Sequence, residues 1–207
     1  MSSISIIGPG DMAGALAGRA LAGGNSVEII GRDPARAAAL AATLDGATVG
    51  VPGATPAGDI VVLAMPYAGA AAAVSAYGNA LHGKVIIDIS NPVDAGLTGF
   101  VTPGNSSGAQ EIAKAAPAGA PVVKAFNTVF SHVLAAGDRP LDVFLAGDDT
   151  QAKAHVSAFI ESMGLRPLDA GPLSMARALE NLGLLQLGLV THSVKHTNFF
   201  VGVTTIS

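Results

Sequence analysis

A glycine-rich turn near the start of the chain has the residue types that hold a phosphate group. Gly8, Gly10 and Ala13 form a G-x-G-x-x-A pattern directly after the apolar run Ser3–Ile7. Gly8 permits a tight turn, Gly10 lets a pyrophosphate approach the backbone, and Ala13 lets the next helix pack closely on the strand. The pattern predicts a dinucleotide site with contacts from Gly8, Pro9, Gly10, Asp11, Met12 and Ala13.

The residues after the second apolar run distinguish between the two nicotinamide dinucleotides. NAD binding needs an acidic side chain at the end of that strand, to accept from the ribose 2′-hydroxyl. Glu28 lies inside the predicted strand, and Asp33 suits a helix N-cap. Arg32 and Arg36 can bind a 2′-phosphate, unless they are merely solvated charges at a helix start. We therefore expect NADP(H), held here by Gly31, Arg32 and Arg36.

Three further strand ends are expected to line the same crevice, because ligands of open α/β sheets bind at the carboxyl edge. Each end joins an apolar or proline corner to a neutral polar group, which suits a flat ring that carries a carboxamide. Taken singly, each is only a turn signal. The three ends are Ala64–Tyr67, Ser90–Pro92 and Ala125–Thr128. The candidate contacts within them are Ala64, Met65, Pro66, Tyr67, Asn91, Pro92, Ala125 and Asn127.

The sequence offers no recognisable set of acid–base or metal-binding residues. It has no Cys and no G-x-S-x-G, and its five histidines do not form a zinc motif. We therefore expect neither a catalytic side chain nor a metal, and a hydride exchange between nicotinamide and a flavin-type ring that the protein only aligns. A non-catalytic NADP-binding sensor is the alternative.

The periodicity predicts an α/β fold with a doubly wound, mostly parallel sheet of the Rossmann type and a small C-terminal strand-helix extension. Expected strands are Ser3–Ile7, Ser26–Ile30, Ala47–Val49, Asp59–Ala64, Lys84–Ile89, Pro121–Ala125, Leu141–Ala146 and Leu165–Asp169. Expected helices are Asp11–Ala22, Pro34–Leu44, Ala68–Leu81, Thr150–Met163 and Leu173–His192, and Gly96–Gly108 is expected to be a surface loop.

Composition excludes several classes of partner. The 207 residues are 50% hydrophobic and 13% charged with a net charge of −4, and 4% are aromatic, so nucleic acid is not expected. Every apolar stretch is interrupted before the roughly 20 residues of a membrane span. Without Cys, and without a basic segment ahead of a long apolar one, the chain is expected in the cytoplasm.

The last predicted helix and the tail behind it are more apolar than an exposed segment should be. A second subunit is the simplest cover, with Gly183 and Gly188 allowing close approach, and a substrate cleft between this helix and the sheet is the alternative. Phe199 and Phe200 indicate a docked tail, over the acceptor site or across a dimer interface.

Gly147-Asp148-Asp149 and the run Gly164–Leu173 resemble the C-terminal part of the F420-dependent NADP oxidoreductases, and the glycine turn and Arg32 fit the same family. The resemblance implies an NADP-binding domain over 1–147 and a C-terminal part over 148–207 with the acceptor cleft and dimer contacts. It also implies a homodimer and direct hydride transfer between nicotinamide and coenzyme F420. NADP contacts carried over from the family are Pro9, Gly10, Asp11, Met12, Arg32, Arg36, Tyr67, Asn91 and Ser131.

Other segments depart from that family. Three segments are more similar to the reductase domain of STEAP-type metalloreductases, which passes electrons from NADPH to flavin: Gly8–Ala13, Asp88–Pro92 and Val123–Asn127. The acceptor therefore stays open between F420 and FMN or FAD, with a ferric reductase as a further alternative. Gly31 stands where both relatives often carry a hydroxyl residue, which weakens the NADP preference.

Two residue groups near the C-terminus remain to be placed. The anionic tail of a deazaflavin needs basic partners, for which the chain offers Lys124, Arg166, Lys195, His192 and His196. The spacing of Lys195 and Asn198 is similar to the catalytic helix of β-hydroxyacid dehydrogenases, although that family carries a larger helical domain after its Rossmann domain.

Overall fold

The computed structural model describes residues 1–137 and 139–206, and within them one eight-stranded sheet carries seven α-helices. The strands are β1 (Ser3–Ile7), β2 (Ser26–Ile30), β3 (Thr48–Val49), β4 (Ile60–Leu63), β5 (Val85–Asp88), β6 (Val122–Ala125), β7 (Asp142–Gly147) and β8 (Arg166–Asp169). The helices are α1 (Asp11–Ala22), α2 (Pro34–Ala42), α3 (Tyr67–Tyr77), α4 (Gly108–Ala115), α5 (Ser131–Ala136), α6 (Thr150–Ser162) and α7 (Ala176–Leu189).

The strands lie in the order β3-β2-β1-β4-β5-β6-β7-β8. Every neighbouring pair is parallel except β6 and β7, which confirms the doubly wound, mostly parallel sheet. The chain leaves β1 toward β2 on one side and returns to β4 on the other, so the order reverses between β1 and β4. In open α/β sheets such a switch point is where ligands bind.

Both faces of the sheet are covered by helices, which explains its continuous apolar strands. In β4, Ile60 and Val62 pack in one hydrophobic cluster with α1, α2, α5 and α6. Val61 and Leu63 point the other way and pack with α3, α4 and the start of α7. Because side chains alternate along a strand, a strand buried on both faces must be apolar at successive positions.

The predicted elements need three corrections. The helix expected over Ala68–Leu81 ends at Tyr77, because Gly78 has a φ of 47° and a 3-10 turn over Gly78–Leu81 replaces the last α-turn. The helix expected from Leu173 to His192 consists of a 3-10 turn, α7 and a π turn over Val190–Val194. Helices α4 and α5 were not predicted, although Ser107 and Gln110 give α4 a capping box that the sequence shows.

In the described part of the chain, no helix is both long enough and apolar enough to cross a membrane.

Candidate functional site

The glycine turn after β1 has the shape that its sequence predicts. Gly8 has a φ of 114°, and its N–H donates to the Ile30 carbonyl at 2.8 Å. A Cβ at Gly8 would lie 2.3 Å from the carbonyl oxygen of Ala64, so only glycine fits. At Gly10, the N-cap of α1, an added Cβ would meet no atom within 4 Å. The turn therefore leaves free space in front of the first N–H groups of α1, as a pyrophosphate requires.

The turn after β2 exposes two arginines. Arg32 and Arg36 are exposed, and within the described residues neither forms a salt bridge. Asp33 accepts hydrogen bonds from two backbone N–H groups in the first turn of α2, which confirms its role as an N-cap. Gly31 is buried, and a Cβ there would lie 3.0 Å from Cγ of Pro9. A side chain at position 31 would therefore require the proline ring to shift by a few tenths of an ångström.

Glu28, the acidic residue of β2, is already engaged within the protein. Its Oε2 accepts from the hydroxyl of Ser5 at 2.5 Å and from the N–H of Ala57 at 3.0 Å. Glu28 therefore ties β2 to β1 and to the loop before β4, and its carboxylate is not presented at the end of the strand for a ribose 2′-hydroxyl.

The parallel strands β1, β4, β5 and β6 bring most of the remaining predicted contacts to one edge of the sheet. Ala64, Met65 and Pro66 follow β4 there, with Pro66 exposed. Tyr67 and Pro92 lie together against Gly108, where an added Cβ would be 3.1 Å and 3.3 Å from their side chains. Ala125 is fully buried in β6, backbone included, so it is not accessible to a ligand at this edge.

A cleft of about 220 Å³ opens where α7 crosses this edge. Four predicted residues line it: Met12, Asn91, Asn127 and Ser131. Phe126 and Thr128, from the strand end predicted to line this crevice, also line it. The six lining residues that were not predicted are Ile89, Val129, Phe130, Gly183, Gln186 and Leu187. Gln186 is a lone amide in the apolar run Leu184–Leu187, a signal that the sequence contains.

Two asparagine side chains connect the strand ends beside the cleft. Asn91 Nδ2 donates to the Asn127 carbonyl at 2.8 Å, and Asn127 Nδ2 donates to Asn91 Oδ1 at 2.9 Å. Asn127 Nδ2 also donates to the Leu179 carbonyl of α7 at 2.8 Å. A Cβ at Gly183 would lie 2.6 Å from Asn91 Oδ1. Gly183 thus lets α7 approach the sheet of its own chain, and the expectation that it admits a partner subunit is wrong.

A buried charge cluster lies between the sheet and α7. Lys124 is fully buried, and its Nζ donates to Asp88 Oδ2 at 2.8 Å and to Glu180 Oε1 at 3.1 Å. Glu180 Oε1 also accepts from the N–H of Gly108 at 2.8 Å, at the first turn of α4. The expectation that Lys124 binds an anionic tail of the acceptor is wrong, because its ammonium is enclosed between two carboxylates.

Burial affects the acidity of the groups around this cluster. Desolvation raises the pKa of the Glu180 carboxyl, and the nearby Lys124 ammonium only partly offsets it. Desolvation also raises the pKa of the Tyr67 phenol, with the charges of Glu111, Glu180 and Asp88 adding to it. Tyr67 therefore stays protonated and can donate a hydrogen bond at this edge.

Two further basic residues are also engaged away from the cleft. Arg166 donates through Nε and Nη2 to the two oxygens of Asp142, at 2.6 Å each. Lys195 Nζ donates to the Thr191 carbonyl at 2.5 Å. Lys195 follows the π turn in a left-handed conformation and Asn198 lies beyond it, so the catalytic helix suggested by their spacing is absent from the described residues.

The C-terminal tail is docked on its own chain, beside the cleft, as predicted for Phe199, whereas Phe200 is 40% exposed. The rings of Phe199 and Phe130 are 5.4 Å apart, and His132 stacks on Phe130 at 6.1 Å. Val203 N–H donates to Asp142 Oδ2 at 2.6 Å. Phe130 lines the cleft, so the tail and His132 form part of its rim. His132 was not among the predicted basic partners.

Comparisons with known proteins agree with this geometry. Residues 3–92 match the model of the family described as NADP oxidoreductase, coenzyme F420-dependent. The chain is 33% identical to the metalloreductase STEAP3 of Rattus norvegicus over 87% of its own length, and it spans 36% of the length of that protein. It is 29% identical to the F420-dependent NADP reductase of Methanothermobacter marburgensis, covering 88% of this chain and 89% of the other.

A solved structure from Arthrobacter sp. FB24, provisionally described as an F420-dependent NADP reductase, has the same architecture over the whole chain. Its TM-score is 0.87 at 26% sequence identity, and the match covers 99% of this chain and 100% of the other. The similarity therefore includes β8, α7 and the tail as well as the glycine turn.

Proposed function

We propose that this protein, whose residues 3–92 match the model of the coenzyme F420-dependent NADP oxidoreductase family, transfers a hydride between NADP(H) and a flavin-type acceptor. The acceptor is coenzyme F420, or alternatively FMN or FAD. The observation that carries the proposal is the cleft beside the glycine turn: among the described residues, none that lines it is ionisable. A site of this kind can align two rings and exclude water, and it leaves the hydride chemistry to the bound cofactors.

The proposed NADP(H) site follows the strand ends. Pro9, Gly10, Asp11 and Met12 surround the pyrophosphate through the backbone at the start of α1, whose open space fits such a group. Arg32 and Arg36 bind the 2′-phosphate. The nicotinamide lies toward the edge formed by Met65, Pro66, Tyr67, Asn91 and Asn127, with Ser131 at the side of the cleft.

The acceptor enters between α7 and the strand ends. With Lys124 enclosed and Arg166 paired to Asp142, the basic groups that the described contacts place at the rim are His132, which stacks on Phe130, and His196, whose ring meets that of Phe199 edge to face at 6.5 Å. Two exposed imidazoles are a weak anchor for a strongly anionic tail. This favours a cleft that recognises mainly the ring of the acceptor.

We also assign the two parts of the chain different tasks in this proposal. Residues 1–147 hold NADP(H), and residues 148–207 supply α7 and the tail, which form the acceptor side of the cleft and the contacts with a second copy of the chain. A protein that uses NADP(H) as its hydride carrier fits the cytoplasm, where we propose that it works.

A direct assay of hydride transfer tests the proposal. Purified protein is mixed with NADPH and oxidised F420, FMN or FAD, and the absorbance of the reduced nicotinamide is followed, with NADH as the control donor. We expect oxidation of NADPH with at least one acceptor, and slower oxidation of NADH. Tight NADPH binding with no oxidation by any acceptor would instead identify an NADP-binding sensor.

The similarity to the rat metalloreductase supports one alternative, an NADPH-dependent flavin and ferric reductase. Addition of ferric iron to the FMN assay separates the two activities. Ferric reduction that depends on both NADPH and flavin, and that is faster than the reduction of iron by the same amount of free reduced FMN, supports the alternative. Flavin reduction that iron does not accelerate supports the hydride transfer proposed above.

A further inference from the structure

The amide of Gln186 is a polar feature of the cleft that the sequence did not predict. Gln186 lies on α7, and its side chain is 2% exposed. Its Nε2 donates to the Thr128 carbonyl at 2.9 Å, across the cleft from the glycine turn. Both Gln186 and Thr128 line the cleft.

The contact with Thr128 fixes which way this amide points. A backbone carbonyl only accepts hydrogen bonds, so the NH2 group must face Thr128 and Oε1 must face away from it. Within the described part of the chain, no N–H or O–H donates to Gln186 Oε1. The oxygen is therefore an acceptor that the protein leaves unused.

Asn127 has the same property, for a related reason. The two hydrogens of its Nδ2 go to Asn91 Oδ1 and to the Leu179 carbonyl, at 2.9 Å and 2.8 Å. Its Oδ1 is buried without a hydrogen-bond partner in the described structure. Since an acceptor buried without a donor is costly, a ligand that brings an N–H to this cleft is favoured over one that brings a carbonyl or a carboxylate.

We propose that Gln186, supported by Asn127, accepts a hydrogen bond from an amide-type N–H of a ring bound in the cleft. The inference rests on the proposed function. Two ligands carry this chemistry: the acceptor ring, through the N–H between its two carbonyl groups, and the nicotinamide, through its carboxamide. In either case the cleft selects for an N–H donor, which a simple ketone or hydroxy-acid substrate lacks.

The experiment compares ligands that differ only at this N–H. FMN and 5-deaza-FMN are compared with their N3-methyl derivatives, and NADPH with the reduced 3-acetylpyridine analogue, which lacks the carboxamide NH2. Each comparison is made on the full-length protein, on the Gln186→Met variant and on Asn181→Leu as a control. Asn181 is an exposed amide on the same helix.

If the acceptor ring is the donor, kcat/KM of the wild type should fall by about tenfold on N3 methylation. If the carboxamide is the donor, affinity for the acetylpyridine analogue should fall by a similar factor. In Gln186→Met the two ligands of the affected pair should differ less in kcat/KM or affinity, so that their ratio moves toward one. Asn181→Leu should keep the wild-type ratio. If Gln186→Met only removed the contact with Thr128, it would lower kcat/KM or affinity by the same factor for both ligands of a pair. The ratio between the two ligands therefore reports the hydrogen bond and not a general disturbance of the cleft.

The wild-type comparison stands even if Gln186→Met does not fold. If the wild type shows the same kcat/KM or affinity for both ligands of each pair, the inference is overturned while the proposed function stands. Failure of the proposed function appears differently, as no oxidation of NADPH by any acceptor. The two reduced dinucleotides can then still be compared by their dissociation constants, which need no turnover.

Discussion

At the nucleotide end of the site, two glycines matter because they have no side chain. Gly8 has no alternative, since a side chain would strike the Ala64 carbonyl. Gly31 is different: its backbone permits a side chain, but a Cβ there would lie 3.0 Å from Cγ of Pro9, so the proline ring would have to shift. Any preference for NADP(H) therefore depends on the charges of Arg32 and Arg36, without a hydroxyl donor from position 31.

Removal of both arginines should weaken NADPH binding specifically. Bonds to charged groups contribute about 1.5–3 kcal/mol each, so Arg32→Ala with Arg36→Ala should lower NADPH affinity by at least tenfold. Binding of NADH, which has no 2′-phosphate, should change little. Titration of each dinucleotide by fluorescence checks this, and unchanged NADPH affinity in the double variant would refute the assignment of the cofactor.

At the scale of elements, the position of α7 determines the cleft. Gly183 admits the Asn91 side chain, and Glu180 binds both Lys124 in β6 and the first turn of α4. Two carboxylates enclose one ammonium, so desolvation of Glu180 is not fully offset. Glu180 thus holds α7 against β6 and α4, although ionisation of this buried side chain costs free energy.

This arrangement predicts how stability depends on pH. Burial raises the pKa of folded Glu180 above its ordinary value of 4.5, so the folded protein holds this proton more tightly than the unfolded chain. Its favourable contribution is full below pH 4.5 and is lost as pH rises through the folded pKa. Glu180→Gln cannot ionise, and should gain stability relative to the wild type between pH 5 and pH 8.

Urea unfolding of both proteins across that range measures the difference. The other titrating groups contribute equally to the stability of both proteins, so they cancel when one unfolding free energy is subtracted from the other. Asp142, whose pKa the hydrogen bonds from Arg166 lower, is one of them. Glu161→Gln, which changes an exposed glutamate of α6, is the matched control and should run parallel to the wild type. A Glu180→Gln difference that is constant with pH would contradict the argument.

At the scale of the whole molecule, the outer face of α7 exposes a large apolar side chain. Leu185 on α7 is 57% exposed, and an added Cβ at Gly188 would meet no atom within 4 Å. The opposite side of the same helix carries Gly183 and Gln186 and is buried against the sheet. The outer face is where we place the second copy of the proposed homodimer, which would then hold both α7 helices next to their clefts.

A charge on this face should separate the two copies. Leu185→Asp would place an unpaired carboxylate in the interface, whose desolvation opposes association. We expect light scattering to give a dimer for the wild type and a monomer for the variant. Val101→Asp, at a 61% exposed position in the loop after β5, should remain a dimer. A wild-type monomer at every concentration would rule out the homodimer.

The sequence by itself determined the features that depend on neighbouring residues. The alternation of apolar runs and helical stretches predicted all eight strands, with ends exact or off by one residue, because burial on both faces leaves a continuous apolar signal. The glycine spacing predicted the turn after β1, and Asp33 before Pro34 predicted the start of α2. These signals are local, so one sequence suffices to detect them.

The tertiary structure alone decided which polar groups meet. Lys124 and Glu180 are 56 residues apart, and Gln186 and Thr128 are 58 apart. Periodicity shows that a helix has an apolar face, but it does not show which strand end that face will cover. For this reason Lys124 was expected at the acceptor, Gly183 at a partner, and Gln186 nowhere, until the packing of α7 on the sheet assigned each of them.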